Sequence, residues 1–220
     1  MSYPPDHLFK VLAEDGSCRH GGTGSWHLPQ NGKPGKWMPK LRGELSPCER
    51  GYHLLRAQDL SHWLGPALWT AEYDGDRVDA DNKVVVRKAR LVARVETYND
   101  KNLRLFACDC AERALLRVQN PDPRSVAAIE VARRYAVGAA TDAELANARS
   151  AAPTAGASAV AWAAATAMSA AAGAYDAAYH AAYWAAVAAW DAAAERRWQS
   201  ARLWAYINDL PLAPITLEAA

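Results

Sequence analysis

The 220-residue sequence lacks an excess of charge of either sign, because 25 lysines and arginines face 24 aspartates and glutamates. This balance removes the long-range field on which most nonspecific nucleic-acid and membrane-surface binders depend. Nucleic acid is therefore not an expected partner, and any charged site must be local. Only four cysteines occur, in a spacing unlike that of a small disulfide-stapled domain. The first residues also lack the basic start and apolar run of a signal peptide, so we expect a protein of a reducing cytoplasm.

Familiar catalytic patterns are missing as well. The chain has neither a glycine-rich phosphate loop nor the Ser, His and Asp order of a nucleophile elbow. Hydrophobic residues make up 51% of the chain and charged residues 22%, which excludes a disordered protein. We therefore expect a folded protein without a cofactor, and we favour a binding role over catalysis.

Composition changes near Asn99. Ten of the 13 glycines and seven of the 12 prolines precede this residue, whereas alanine supplies 25 of the 44 residues in 151–194. A turn-rich part made of short elements is thus followed by a part made of the strongest helix former. The sequence predicts an α+β protein in which 1–98 form a small domain with an antiparallel sheet. Residues 99–210 should form an alanine- and tryptophan-rich helical bundle, followed by a tail at 211–220.

Apolar patterns and turn residues predict the elements of the first part. Strands are expected at 7–12, 52–55 and 67–73, a helix at 57–64, and a turn at 74–82. The clearest strand lies at 89–96, where small or apolar residues alternate with mostly charged ones. Such alternation is typical of an antiparallel sheet with one buried face.

Helix boundaries in the second part follow from capping residues. Asn99 and Asp122 should begin the first two helices, Gly138 should end the second, and Thr141 with Glu144 has the spacing of a capping box. From 155 to 206 the chain is helix-compatible, with Gly173 as the expected interior break. The charged cluster of Glu195, Arg196, Arg197 and Arg202 should form a solvated face.

No charged residue lies between Arg149 and Asp176, so this stretch has the length of a membrane span. It consists mostly of alanine and has almost no leucine, isoleucine or phenylalanine to supply the transfer energy. We therefore expect no membrane segment. Small side chains instead let helices pack closely.

An aromatic stripe at helical spacing is the main candidate binding feature of the second part. It comprises Tyr175, Tyr179, Tyr183 and Trp190, with His180 and Trp184 beside it. One interpretation is a core in which these rings pack against alanines, and the other is a groove for a planar ligand or a partner helix. We expect His180 to be half-buried, with Asp176 one turn away.

Two candidate sites lie in the first part. Thiol and imidazole side chains are typical zinc ligands, and Cys18, His20, Cys48 and His53 could converge on one ion, although their spacing is not that of a zinc finger. We favour ordinary packing thiols and no metal. On the charged side of the strand at 89–96 and just before it, Lys88, Arg90 and Arg94 could bind an acidic protein or a phosphate. The alternative is a solubilising surface.

Two stretches resemble known families. The first comprises 107–115, then Asp122, Arg124, 128–133, Gly138, Thr141, Glu144 and 148–149. It resembles immunity proteins of bacterial polymorphic toxin systems, and this resemblance covers about 100–206. Residues 1–98 are similar to an uncharacterised domain of phage and prophage proteins through Leu45, Cys48, 51–53, Asp81 and 83–85. The first resemblance implies an all-helical domain that acts by binding, and together they imply a phage or mobile-element protein in a bacterial host cell.

Our leading hypothesis is a non-enzymatic protein that binds a partner protein, and the sequence leaves room for a homo-oligomer. One alternative is an ADP-ribosyltransferase-like enzyme that uses NAD through Tyr52, His53 and Glu72, because their order follows such folds. Further alternatives are a nucleotide-sequestering protein with a groove of Tyr179, Tyr183 and Trp184, and a virion component. A deep cleft with converging titratable groups in the first part would count against the leading hypothesis.

Overall fold

The chain folds as an α+β protein, which confirms the predicted class. The structure is a computed structural model that describes residues 7–151 and 174–217. It divides into two compact units, Met1–Tyr98 and Asn99–Ala220. The division falls where the glycine-rich composition gives way to the alanine-rich one.

Two three-stranded antiparallel sheets form the N-terminal unit. Strand order is β1-β3-β6 in one sheet and β2-β5-β4 in the other. A short 3-10 helix, Ala57–His62, follows β2. The strands are β1 (Leu8–Leu12), β2 (Tyr52–Leu54), β3 (Ala67–Tyr73), β4 (Arg77–Ala80), β5 (Lys83–Val86) and β6 (Ala89–Arg94).

The two sheets meet where β1 pairs with the residue that follows β2. The backbone of Phe9 exchanges two hydrogen bonds of 2.8 Å with that of Leu55. Apolar side chains from both sheets form one core, which includes Leu12, Trp69 and Leu91 from the first sheet and Leu54 and Val86 from the second. Backbone pairing and a shared core therefore join β1 and β2, the strands that carry the site described below.

The turn predicted at 74–82 is wrong in part, because β4 lies within it and β5 follows directly. Val84, Val85 and Val86 are all fully buried. A strand buried on both faces shows no alternation of polar and apolar residues, so the period that identifies β6 is absent from β5.

Five helices are described in the C-terminal unit. They are α1 (Asp100–Leu115), α2 (Pro123–Ala136), α3 (Asp142–Ala151), α4 (Ala174–Ala188) and α5 (Ala192–Ile207). The predicted caps are confirmed, because Asn99 and Asp122 accept backbone hydrogen bonds at their helix starts. Thr141 and Glu144 form the reciprocal capping box. The break before α5 lies at the Asp191 cap, and the break predicted at Gly173 lies outside the described residues.

Alanines rather than aromatic rings form the buried face of α4. This helix packs against α1 and α5. Its buried residues are Ala174, Ala177, Ala178, Ala181, Ala182, Ala185 and Ala186. Tyr179 and Tyr183 are exposed, and Trp190 beyond the helix end is fully exposed. The interpretation of these rings as core is therefore wrong, because contact between helix backbones at short distance needs the small side chains at the interface.

The solvated face expected for the charged cluster on α5 is wrong for Glu195 and Arg202, whereas Arg197 is exposed. Glu195 is buried and accepts hydrogen bonds from Arg113 Nε at 2.9 Å and Arg117 Nη2 at 2.7 Å. Asp109, also buried, accepts from Arg202 Nε at 2.6 Å and from the Tyr206 hydroxyl at 2.7 Å. Each of these buried charges is stable only while its partner is in place. Since the ion pairs run between α1 and α5, they join the two helices.

Residues 7–151 and 174–217 contain no helix that combines the length and the apolar composition needed to cross a bilayer. Most of the uncharged stretch tested as a membrane span lies outside these ranges.

Candidate functional site

A cavity of about 360 Å³ opens in the N-terminal unit near the junction of its two sheets. Its volume lies within the range of small-molecule sites. We call it the Lys10 cavity. The residues that line it are Lys10, Val11, Arg19, His20, Gly21, Gly22, Cys48, His53, Leu55, Trp63 and Lys83. They come from β1, β2, β5, the loop after β1, the loop before β2 and the end of the 3-10 helix.

Exposure decreases from the mouth of this cavity to its floor. Arg19, His20 and Cys48 are exposed, whereas Val11 and Leu55 are buried. Lys10 is half-buried, and its Nζ donates a 3.0 Å hydrogen bond to the backbone carbonyl of His53. Burial lowers the pKa of Lys10 to about 8.

Two histidines face the same space in defined tautomers. His20 Nε2 lies 2.8 Å from the Leu64 carbonyl, which only accepts, so this nitrogen carries a proton. His53 Nε2 accepts from the Cys48 backbone N–H at 2.9 Å, so the neutral ring carries its proton on Nδ1. Burial lowers the pKa of both, and Lys10 lowers each further by charge repulsion. Both rings are therefore neutral at pH 7.

Lys83 forms one wall together with Cys48 and Trp63. Its Nζ lies 3.1 Å from Cys48 Sγ and 4.6 Å from the centre of the Trp63 ring. The Trp63 indole is fixed in turn, because its Nε1 donates to the Asn82 carbonyl at 2.8 Å. The contact between the ammonium and the indole face is a cation–π interaction, which orients both side chains.

Positive charge dominates the cavity. Lys10, Arg19 and Lys83 line it, and none of the lining residues within the described ranges carries a carboxylate. On the outer surface of the same unit, Lys88 pairs with Asp74 and Arg94 pairs with Glu14. Since the chain as a whole is nearly neutral, this concentration of cations is a local feature.

Three of the four residues proposed as zinc ligands, His20, Cys48 and His53, do line this cavity. Cys18, the fourth, lies near Gly22, a cavity residue in the loop after β1: its Sγ is 3.6 Å from the position that a Cβ on Gly22 would take. Within 7–151 and 174–217, however, no three His, Cys, Asp or Glu side chains are placed to hold one metal ion. The cavity thus brings imidazoles and a thiol together without a metal-binding geometry.

The residues of the NAD alternative are separated. His53 lines the cavity, but Tyr52 packs edge-on against Trp26 and donates to the Pro39 carbonyl at 2.8 Å. Glu72 on β3 pairs with Arg90 on β6. Neither Tyr52 nor Glu72 is among the residues that line the cavity.

The basic residues of β6 and the residue before it are matched by carboxylates across the sheet. Arg94 donates to Glu14 at 2.7 Å, Lys88 lies 3.2 Å from Asp74, and Arg90 pairs with Glu72. Lys88 and Arg90 also lie over the Trp37 ring, each 4.6 Å from its centre. This arrangement is that of a charge-compensated outer surface rather than of a strong anion site.

The candidate residues on α4 lie on its exposed side. Tyr183 and Tyr179 are 42% and 38% exposed, and Tyr183 packs edge-on against Trp184. Tyr175 is half-buried. His180 is exposed rather than half-buried, and its Nδ1 lies 2.9 Å from the backbone carbonyl oxygen of Asp176. These side chains form an outward-facing aromatic surface.

Sequence reasoning missed Lys10, Arg19, Trp63 and Lys83 as members of one site. The strand Leu8–Leu12 did carry a signal, because Lys10 is its one charged residue. A charge in the middle of an apolar strand requires either a partner or a function.

No known protein family, curated protein or solved structure matches this chain.

Proposed function

We propose that the N-terminal unit binds a small anionic ligand in the Lys10 cavity. The observation that carries this proposal is a small-molecule-sized space lined by three cationic side chains and by no described carboxylate. A cavity with several titratable groups in this unit counts against a purely protein-binding role. The proposal therefore gives small-ligand binding precedence over that role.

Charge and solvation both favour an anion here. Lys10 loses hydration in the half-buried floor, and the repulsion from its charge reaches His20 and His53. A phosphate or carboxylate would bring negative charge next to these cations and accept charge-assisted hydrogen bonds from Arg19 and Lys83. Neutral His20 and His53 add polar contacts without adding charge.

Binding is better supported than NAD-dependent transfer. The transfer alternative needs Tyr52 and Glu72 near His53 in one ligand site. Tyr52 is bonded to Pro39, and Glu72 is paired with Arg90 outside the cavity. Ligand sequestration needs only the cations and the enclosed space.

Calorimetric titration with inorganic phosphate, pyrophosphate and AMP tests the proposal. We expect at least one of them to bind, with affinity falling as salt rises. The double variant Arg19→Gln/Lys83→Gln should weaken binding by more than about tenfold, because two charge-assisted hydrogen bonds are lost. The matched control, Lys88→Gln/Arg94→Gln, removes the same charge from the outer surface. Equal weakening in both variants, or no binding by any of the three anions, would reject the proposal.

The helical unit supports a second candidate function, binding of a partner protein as the resemblance to immunity proteins implies. The observation that favours it is the exposure of Tyr179, Tyr183, Val187 and Trp190 along one side of α4 and its end. Exposed aromatic residues clustered on one surface are typical of protein interfaces.

Co-purification with the product of the neighbouring gene tests this second function. A toxin as that product would fit the immunity-like role, and a tail or capsid protein would fit the virion role. The partner should no longer co-purify with the variant Tyr183→Ser/Trp190→Ser. It should still co-purify with Val137→Ser, which changes an exposed residue at the C-terminal end of α2. Retention by both variants would exclude the α4 surface as the binding site.

A further inference from the structure

Lys10 projects from the inner face of β1, among apolar side chains. Along the strand it shares that face with Leu8 and Leu12, and across the ladder it lies opposite Trp69. All three neighbours belong to the buried core. An amine placed there loses part of its hydration, which is unfavourable for the ammonium form.

The amine of Lys10 is held in place and faces open space. Its Nζ is fixed by the bond to the His53 carbonyl and lies 5.2 Å from the Trp26 ring centre. It also lines the cavity, so a bound ligand would reach it. With a pKa of about 8, roughly a quarter of Lys10 is neutral at pH 7.5, compared with about one in a thousand for an ordinary lysine.

We propose that Lys10 forms a Schiff base with a small aldehyde or ketone that carries a phosphate or carboxylate group. This inference rests on the proposed function, because the anionic group of the ligand would be held by Arg19 and Lys83. The same cations would place the carbonyl carbon beside the Lys10 amine. A lysine that loses hydration among apolar side chains is a known means of producing such a nucleophile.

The bond changes balance without a further reagent. The lone pair of neutral Lys10 attacks the carbonyl carbon and gives a carbinolamine. The carbonyl oxygen then leaves as water together with the two hydrogens of the amine, and a carbon–nitrogen double bond remains. His20 and His53, both neutral, face the cavity and offer groups for moving the protons.

A structural explanation also exists for an inward lysine. β1 is the outer strand of its sheet and is paired beyond it at the isolated bridges Phe9–Leu55 and Leu12–Cys18, and inward charges protect such edges from pairing with other chains. That role needs the charge but no reactivity. The two explanations therefore differ in whether Lys10 reacts faster than other lysines.

Pyridoxal 5′-phosphate followed by borohydride at pH 7.5 is the probe, because reduction converts the imine into a stable secondary amine. Peptide mapping of the full chain should locate the adduct at Lys10, in preference to the exposed Lys101 on α1 by on the order of 100-fold. Pyridoxal, which lacks the phosphate, should label Lys10 more slowly. Arg19→Gln/Lys83→Gln should lower labelling by the phosphate form towards that of pyridoxal.

The result separates this inference from the function on which it rests. Anion binding by calorimetry with Lys10 labelled no faster than Lys101 would overturn the Schiff base and leave the anion site intact. Absence of anion binding with no preference for Lys10 would overturn both. Lys10→Arg serves as the variant control, because it keeps a cation at this position and should lose the adduct. If labelling persists in this variant at a cavity lysine, Lys83 rather than Lys10 is the nucleophile and the assignment is wrong.

Discussion

Lys10 should make the stability of the N-terminal unit depend on pH. Its pKa is about 8 in the folded protein against an ordinary 10.5, so the unfolded chain binds more protons between these values. Stability must therefore rise as pH increases from about 8 to 10.5. The shift corresponds to roughly 2–3 kcal/mol after allowance for partial exposure. Below pH 8 both states are protonated, and the Lys10 contribution becomes constant.

The comparison of wild type with Lys10→Met isolates this effect. Neutral and charged lysine both donate to the His53 carbonyl, so the variant lacks this hydrogen bond equally at every pH. The difference in free energy of unfolding between the two proteins therefore changes with pH only through the charge of Lys10. Urea unfolding followed by ¹⁹F NMR of fluorotryptophan at Trp26 and Trp69 reports on this unit. Between pH 7.5 and 10.5, the free energy of unfolding of the wild type should rise by about 2–3 kcal/mol relative to that of the variant. A constant difference would show that Lys10 is not desolvated and would refute the reasoning.

Three further pairs of substitutions, each a test and its control, address the packing. Asp109→Ala should cost the helical unit about 3–5 kcal/mol in urea unfolding, whereas Arg124→Ala, which removes an exposed pair with Asp122, should leave the unfolding midpoint nearly unchanged; similar costs would contradict the buried network. Ala181→Leu should destabilise the helical unit by about 1–3 kcal/mol, whereas Tyr183→Ala should change its stability by no more than ~0.5 kcal/mol. A larger cost for Tyr183→Ala than for Ala181→Leu would show that the aromatic rings, and not the alanines, are buried. Gly51→Ala should cost more than ~2 kcal/mol, because its φ is +143° and a Cβ would lie 2.1 Å from Val85, and Gly24→Ala in open space should cost less; equal thermal shifts would contradict this.

Local signals gave the helix ends and failed for the face that α4 buries. The Thr141 and Glu144 capping box needs only residues three positions apart, so its prediction is confirmed. On α4 the rings and the alanines recur with the same helical period. Periodicity alone therefore cannot decide which set is buried. The decision comes from α1, against which α4 packs with its face of small alanine side chains.

The cavity was only partly predictable for a similar reason. His20, Cys48 and His53 were grouped by residue type, and they do line one space. Lys83 joins them through β5, a strand that has no alternating pattern. Lys10 joins them through the register of β1, which depends on β3. Contacts between distant segments define the site, and composition along the chain does not contain them.

The most direct test of the anion site is an NMR titration of the histidine side chains with inorganic pyrophosphate. A bound anion adds negative charge beside His20 and His53, so it should raise the pKa of both above their depressed values in the unbound protein. The resonances of His27 and His180, which do not line the cavity, should not move when pyrophosphate is added. Unchanged His20 and His53 at saturating pyrophosphate, or equal changes at all four rings, would contradict the account.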